Sequence, residues 1–407
     1  MKKILVSLLA AAALTAGSAM AQTTLNFLTF TPGDDHLEAL EALIADFESI
    51  HPDISINYTF VPYGEYFVRL QTDFAAGIEP DVFELNFENF ATFAARGALL
   101  ELDPYLDADR RAFFYEAALN AFAFEDTQYA LPISFSTVVL FYNQEMFDAA
   151  GIDYPTDEWT WDDVVEAGLA LTDAPNRVWG YSQPVQFWEF YKVATAAGGG
   201  LEVSPEVRID TPENRRALQF LVDNTLVHGI RPSLAEMSGL GDTDLFAAGQ
   251  LGMIVTGIWM FDFFINNAPF AWDIVIEPGD ARHATHFFSN AAAVARSTDH
   301  PDEAWLWVEY LASNQKTVET RIERSWELPA LSLDQADLLA PYLDQPVPAN
   351  RAAVFRSLEY AVNPPVVANQ PELEDIINTE LEAADLGLKT VEEALSEAQR
   401  RVEELLR

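Results

Sequence analysis

Residue types that do covalent chemistry are scarce in this sequence, and those present do not fall into reactive spacings. There is no G-x-x-x-x-G-K-[ST] phosphate loop and no G-x-G-x-x-G; Gly198-Gly199-Gly200 does not open one. Neither a G-x-S-x-G elbow nor an H-E-x-x-H pair occurs. Cysteine is absent, which removes disulfides, thiolate nucleophiles, Cys-ligated zinc, iron–sulfur clusters and lipidated cysteines. Of six histidines only His283 and His286 lie close together, and H-x-x-H without cysteine is a weak metal signal. With 64 acidic residues, close carboxylate pairs arise by chance, so a glycosidase pair cannot be read from spacing. No catalytic residue, metal or cofactor is assigned.

What stands out instead is a set of aromatics beside turn signals. Trp159-Thr160-Trp161 sits at a helix start, and Phe187-Trp188 precedes the Gly198 turn by about three helical turns. Trp259 follows Gly257 at a strand end, and Trp326 lies in RSWELP before a proline. Sugar rings expose apolar C–H faces inside a belt of hydroxyls. A sugar site therefore wants flat aromatic faces together with carboxylates and amides for hydrogen bonds. Trp179, Trp272, Trp305 and Trp307 are instead expected to pack in the core, because large aromatics are mostly buried.

The elements that must position these side chains follow from periodicity. Thr24–Phe30 alternates as a strand, then Leu37, Leu40, Leu43, Ile44 and Phe47 recur at helical spacing, with Asp34 or Asp35 placed to cap. Ser55–Phe60 predicts a second strand, Tyr63–Ala76 a helix stopped by Gly77, and Val82–Leu85 a third strand. A helix from about Glu88 runs to Gly97. Strand and helix restart at Ser136–Tyr142 and Trp161–Leu171, the latter with Thr160 as N-cap. Pro212–Val227 is helical, Leu251–Val255 and Trp272–Ile276 are strands, and Pro301–Ala312 is a helix. Two final helices break near Gly387. This alternation predicts an α/β fold with mainly parallel sheets in two lobes joined by several crossings.

Length and charge agree. The 407 residues are half apolar, which excludes a disordered chain and exceeds one ordinary core. The formal net charge of −41 opposes nucleic acid and anionic lipid as partners. Lys2 and Lys3, the apolar run Ile4–Ala16 and Ala19-Met20-Ala21 predict a signal peptide over 1–21, cleaved before Gln22. That run is shorter than the ~20 residues needed to span a bilayer. A second apolar stretch, Leu245–Ile265, holds Gln250, Asp262 and three glycines, and reads as buried strand rather than membrane span. The chain is expected to be exported, soluble and periplasmic or otherwise extracytoplasmic.

The ordered set of signals resembles the extracellular solute-binding proteins of ABC importers, in the family that includes maltodextrin-binding proteins. Its pieces are ALIADFESIHPDISINYTF, QTDFAAGIEPDVFELNFENFATFAARGALLELDPYL, ALPISFSTVVLFYNQEMFDAAGIDYP with WTWDDV, FAAGQLGMIVTGIW, SNAAAVARSTDHPDEAWLWVEYLAS and PELEDIINTELEAADLGLKTVEEAL. The resemblance spans nearly the whole chain after residue 21. It implies a periplasmic-binding-protein-like fold, with two lobes joined by hinge strands around a ligand cleft. Crossings are expected near Ile133–Phe135, Trp272–Ile274 and Arg324–Pro329. One lobe would take 22–134 plus 273–325, the other 135–272 plus 326–407.

The resemblance also implies site residues. A polar contact after the PDV strand falls on Asn86 or Glu88, and Ser134 and Ser136 follow the hinge proline, where some sugar-binding relatives carry an acid near Ser136. Trp188 ahead of the double glycine, and Trp259 two residues after Gly257, match stacking positions. Thr31 to Asp35 follow strand one; His286 to Phe288, with His286 and Phe287 singled out, and Trp326 lie on returning loops. Tyr142-Asn143 match a Y-N pair read as structural. Where many relatives carry a late R-P, this chain has Asn363-Pro364, so any role for that arginine is lost. The implied function is capture of a small solute, a sugar or oligosaccharide foremost, for delivery by a monomer to ABC-transporter permease subunits. Contacts drawn from both lobes would favour a closed state, which the permease would recognise. An exported carbohydrate-active enzyme using cleft carboxylates is the alternative, with a polysaccharide-anchoring protein third.

Overall fold

The computed structural model describes residues 22–30, 34–204, 206–324, 327–332, 335–365, 367 and 369–407. The expected leader lies outside these, as do Thr31 and Trp326. The strands are β1 (Thr23–Thr29), β2 (Ile54–Phe60), β3 (Val82–Asn86), a small hairpin β4 (Ala123–Phe124) and β5 (Thr127–Gln128), and β6 (Ala130–Asn143). They continue with β7 (Met253–Gly257), β8 (Trp272–Val275), β9 (Thr285–Val294) and β10 (Ala361–Val362). They order as β2-β1-β3-β9-β6-β7, with β8 beside β6 and β10 beside β9.

The two lobes are strung along β6. Its first half, Ala130–Thr137, pairs with β9, and its second half, Val138–Asn143, pairs with β7 and β8. The ladder to β9 slips between Pro132 and Ser134, where proline supplies no N–H to the partner strand. In the first lobe β1, β2 and β3 are parallel, as the strand–helix alternation requires. The long strands β6 and β9 run antiparallel to each other, β9 antiparallel to β3 and β6 antiparallel to β7 and β8, so the sheet is mixed rather than mainly parallel. The physical reason is that the connecting strands return through the sheet instead of crossing over it by a helix. The expected crossing at Trp272–Ile274 also differs. That segment is β8, which stays against Leu140–Asn143, and β9 is the strand that leads back to β3. The third crossing appears where Leu328 exchanges backbone hydrogen bonds with Phe135 (2.8 and 3.1 Å).

Each lobe packs helices on both faces of its sheet. In the first lobe, Leu25 and Phe27 of β1 meet Phe47 and Trp307, while Leu28 and Phe83 on the opposite face meet Tyr66 and Phe93. In the second, Phe141 and Ile254 pack with Trp272 and Phe264, and Leu140 and Val255 with Val164 and Leu171. Trp179, Trp272, Trp305 and Trp307 are all buried. Capping reads as the sequence implies. Thr160 and Asp163 form a reciprocal capping box, and Gly77 takes the left-handed conformation that ends its helix. At Gly180 a Cβ would fall 2.0 Å from the carbonyl oxygen of Gly168, so this backbone seats directly on the helix Trp161–Leu171. Leu245–Ile265 divides into a helix end, β7 and the helix Phe261–Asn267. Among the described residues no helix is long and apolar enough to cross a membrane.

The acid surplus leaves few cations to screen it. The sequence has five lysines, and of these Lys192 and Lys389 are already in ion pairs. Like-charge repulsion across such a surface is screened over ~10 Å at 0.1 M salt and ~3 Å at 1 M. Melting temperature is therefore expected to rise from low to molar sodium chloride, beyond the rise that matched sucrose gives. A flat or falling curve would leave solubility as the reason for the acidity.

Candidate functional site

A cavity of about 650 Å³ opens between the lobes, within the ~300–1,000 Å³ typical of small-molecule sites. The first lobe supplies one wall from the carboxyl ends of its parallel strands. Phe30 follows β1, Phe60 ends β2, and Glu84 and Asn86 end β3. Tyr63 begins the next helix and packs edge-on against Phe30 at 5.3 Å. Asn86 does double duty at this wall. Its Oδ1 accepts from the backbone N–H of Asn89 as N-cap, while its Nδ2 donates to the Tyr63 hydroxyl at 2.9 Å. Glu88 sits in the first turn of that helix, 5% exposed, with one carboxylate oxygen 3.8 Å from His286 Nε2.

The floor is built by the segments that cross between lobes. Ser134 of β6 donates to the Glu327 carboxylate, and Asn290 Nδ2 of β9 donates to it at 3.2 Å. One carboxylate thus ties three crossing segments together. Its residue holds φ of 54°, a left-handed conformation that costs a non-glycine residue about 1–3 kcal/mol and clusters at functional sites. Arg321 lines the same floor, buried, with Glu84 and Glu327 drawing on its charge.

The second lobe supplies aromatic faces. Trp188 opens the helix Phe187–Ala196, and Trp259 follows β7 in a single 3₁₀ turn. Phe288 of β9 stands between them, its ring centroid 5.1 Å from that of Trp259 and 6.0 Å from that of Trp188. Both indoles are half-buried, so part of each remains open to the cavity. Glu189 lies beside Trp188 in the same wall. Gly257 contributes by lacking a side chain: a Cβ there would meet the Trp259 ring at 1.9–2.2 Å. Gly257→Ala is accordingly expected to push the indole off the wall and to weaken ligand binding about tenfold. Unchanged affinity by calorimetry would show that the ring's seat is immaterial.

Electrostatics here are dominated by burial. Burial pushes the Glu84 carboxyl up to about 7, against the pull of Arg321. Burial, reinforced by Glu374, pushes Glu88 up to about 8. Burial also holds the His286 imidazole well below its ordinary value, so it is neutral.

Of the expected site residues, Asn86, Glu88, Ser134, Trp188 and Trp259 line the cavity. Gly257 only seats Trp259. Ser136 and His286 share the strand face of Ser134 and Phe288 but are fully buried and do not reach the cavity. Phe287 is turned the other way, into the core against Phe135 at 5.9 Å. The expected returning loop is the strand β9, whose period of two puts Phe288, not Phe287, at the cavity. Thr31 and Trp326 lie outside the described residues. His283 and His286 do not converge: His286 Nδ1 faces the Tyr191 hydroxyl, and His283 Nδ1 the Glu277 carbonyl at 3.1 Å. Among the described residues no cluster of three His, Asp or Glu side chains could hold a metal. Phe30, Tyr63, Glu84, Asn290, Arg321 and Glu327 were not foreseen, and apart from aromatic type nothing local marks them.

Comparisons with known proteins agree with this geometry. The family model described as bacterial extracellular solute-binding protein matches residues 33–318. An ABC substrate-binding protein from Listeria monocytogenes, solved in complex with cycloalternan, is 40% identical. It superposes with a TM-score of 0.89, covering 95% of this chain and 99% of that one. An arabinooligosaccharide-binding protein of Halalkalibacterium halodurans is 26% identical over 73% of this chain and 69% of its own. A maltose-bound protein of T. maritima shares the fold, with a TM-score of 0.81 at 21% identity over 94% of this chain and 100% of that one. With a cleft between two lobes and a family match over most of its length, this chain belongs to the bacterial extracellular solute-binding proteins.

Proposed function

We propose that this protein captures an oligosaccharide in the interlobe cavity and presents it, enclosed, to the permease of an ABC importer. The observation that carries this reading is the wall of Trp188, Phe288 and Trp259 facing Glu84, Asn86 and Glu88. Flat aromatic faces suit the apolar faces of sugar rings, and the opposing carboxyl and amide groups suit their hydroxyls. The relatives named for cycloalternan and arabinooligosaccharide support a saccharide ligand. The chain would act outside the cytoplasm as a monomer, after removal of the leader, and make or break no bond in its ligand.

A thermal-shift panel of cycloalternan, maltose and an arabino-oligosaccharide, with amino acids as controls, tests the reading. A ligand that binds only the native state raises stability by RT ln(1 + [L]/Kd). A shift with an amino acid and with none of the saccharides would overturn it. Because the walls belong to different lobes, hinged near Ser134–Val138, Phe287–Asn290 and Glu327–Leu328, binding is also expected to close the molecule. Small-angle scattering should show a smaller radius of gyration at saturation. Identical curves would mean a rigid site.

A further inference from the structure

Behind the Trp188 wall lies a buried polar network. Lys192 is 0% exposed, one helical turn after Glu189. Its ammonium donates to Glu189 Oε2 at 2.7 Å and to Glu277 Oε2 at 2.5 Å. Gln183 Nε2 donates to the same Glu189 Oε2 at 2.7 Å and to Glu277 Oε1 at 2.9 Å. The Tyr181 hydroxyl closes the set by donating to Gln183 Oε1 at 2.6 Å. Burying one cation with two carboxylates is a poor way to stabilise a protein, because desolvation offsets the attraction. An apolar cluster would serve as well.

The two carboxylates are used differently. Both oxygens of Glu277 are engaged, so it anchors the network. Glu189 gives both donors a single oxygen, and its Oε1 takes neither. Glu189 is also the member of this network that lines the cavity, next in sequence to the Trp188 indole. The charged and titratable groups facing it are Lys192 on its own helix, Glu277 on the segment after β8 and Tyr181 ahead of Gln183. Arg231 acts on Tyr181, and His283 reaches the Glu277 carbonyl.

We propose that Glu189 is a ligand-recognition residue whose Oε1 accepts a hydroxyl of the saccharide ring stacked on Trp188, with Lys192 as the positioning residue that holds this carboxylate in place and aimed. The inference rests on the saccharide reading and narrows it. The subsite takes a neutral ring with a hydroxyl at its edge, and repels a uronate, whose carboxylate would meet this one. Lys192 is suited to the task. Burial works against its charge, yet Glu189 and Glu277 together hold the ammonium above its ordinary value.

The experiment measures affinity for cycloalternan, maltose and an arabino-oligosaccharide by calorimetry at pH 6 and pH 9, in wild type, Glu189→Gln and Lys192→Met. Glu189→Gln should weaken binding of whichever saccharide binds by about tenfold or more, as for loss of a hydrogen bond to a charged group. In Lys192→Met the two buried carboxylates lose their shared cation and hold one proton between them at pH 6, which draws Glu189 to Glu277 and off the ligand, and the pair releases it only at higher pH. Relative to wild type at the same pH, its affinity should fall about tenfold at pH 6 and recover to within about threefold at pH 9. Dividing by wild type removes the titration of Glu84 and Glu88. Wild-type affinity in folded Glu189→Gln would overturn the proposal, as would a Lys192→Met deficit equal at both pH values, which is what loosened packing alone gives. Failure of wild type to bind any of the three saccharides would instead overturn the saccharide reading, and this inference with it.

Discussion

Replacing Trp188 or Trp259 with alanine is expected to weaken saccharide binding by about ten- to a hundredfold while leaving the fold intact. The magnitude follows from area. Each indole is half-buried in its lobe, and a ligand that covers the remaining face would gain about 1.5–3 kcal/mol from it. The fold tolerates the loss because each ring packs at the edge of a core with part of it exposed, not inside it. Trp188 meets His286 and Phe288 edge-on or tilted, and Trp259 meets Phe288 edge-on at 5.1 Å. The contrast is Trp307, fully buried among Phe27, Phe47 and Tyr310, where alanine should cost about 3–5 kcal/mol of stability. Calorimetry with the saccharide identified in the panel, beside a melting curve, separates the two effects. Unchanged affinity in both cavity variants would remove these tryptophans from the site.

Much of this arrangement was readable because local signals and the fold agree. Gly77, Thr160 and Gly387 punctuate helices where the sequence places them, β1 and β2 alternate over part of their length, and β3 is the short buried strand that the sequence predicts. Trp188 and Trp259 were legible as aromatics beside turn signals that also match the stacking positions the resemblance implies; the turn signal alone does not suffice, since Trp161, also at a helix start, is buried against Phe220. What failed was the second crossing, which runs along β9 and not at Trp272–Ile274. β9 is covered on both faces over most of its length, so HFFSNAAAV lacks the alternation that marks a half-exposed strand. Without that register Phe287 and Phe288 are indistinguishable, though one faces the core and the other the cavity. Glu84, Arg321 and Glu327 were invisible for a different reason. They come from distant segments that meet only when three crossings close, and a sequence with 64 acids offers no way to single out two of them.

Burial of Glu88 has a consequence for stability that its position alone does not advertise. The carboxyl has the neutral imidazole of His286 3.8 Å away, the charge of Glu374 on the helix Gln370–Asp385 acting on it and Tyr63 on the neighbouring helix, and among the described residues no lysine or arginine pairs with it. Its pKa is raised to about 8, by burial first and by Glu374 second, against 4.5 for the ordinary side chain. An acid whose native pKa lies above its unfolded value is protonated in the native state while the unfolded chain has already released its proton. The native state then binds more protons, and stability falls as pH rises through that window. Each pH unit costs up to ~1.4 kcal/mol per such group, so Glu88 alone can cost ~4 kcal/mol between pH 5 and pH 8. Glu84, raised to about 7, adds to the lower part of the same window. Glu88→Gln keeps the shape and removes the titration. Its melting temperature is expected to change less than that of wild type between pH 5 and pH 8, and to exceed wild type at pH 8 by several degrees, at roughly 2 °C per kcal/mol. The other raised acids titrate in both proteins, so the difference between the two curves belongs to Glu88. Parallel curves would mean that the carboxyl finds solvent or a cation in the native protein, and that the cavity wall around it opens.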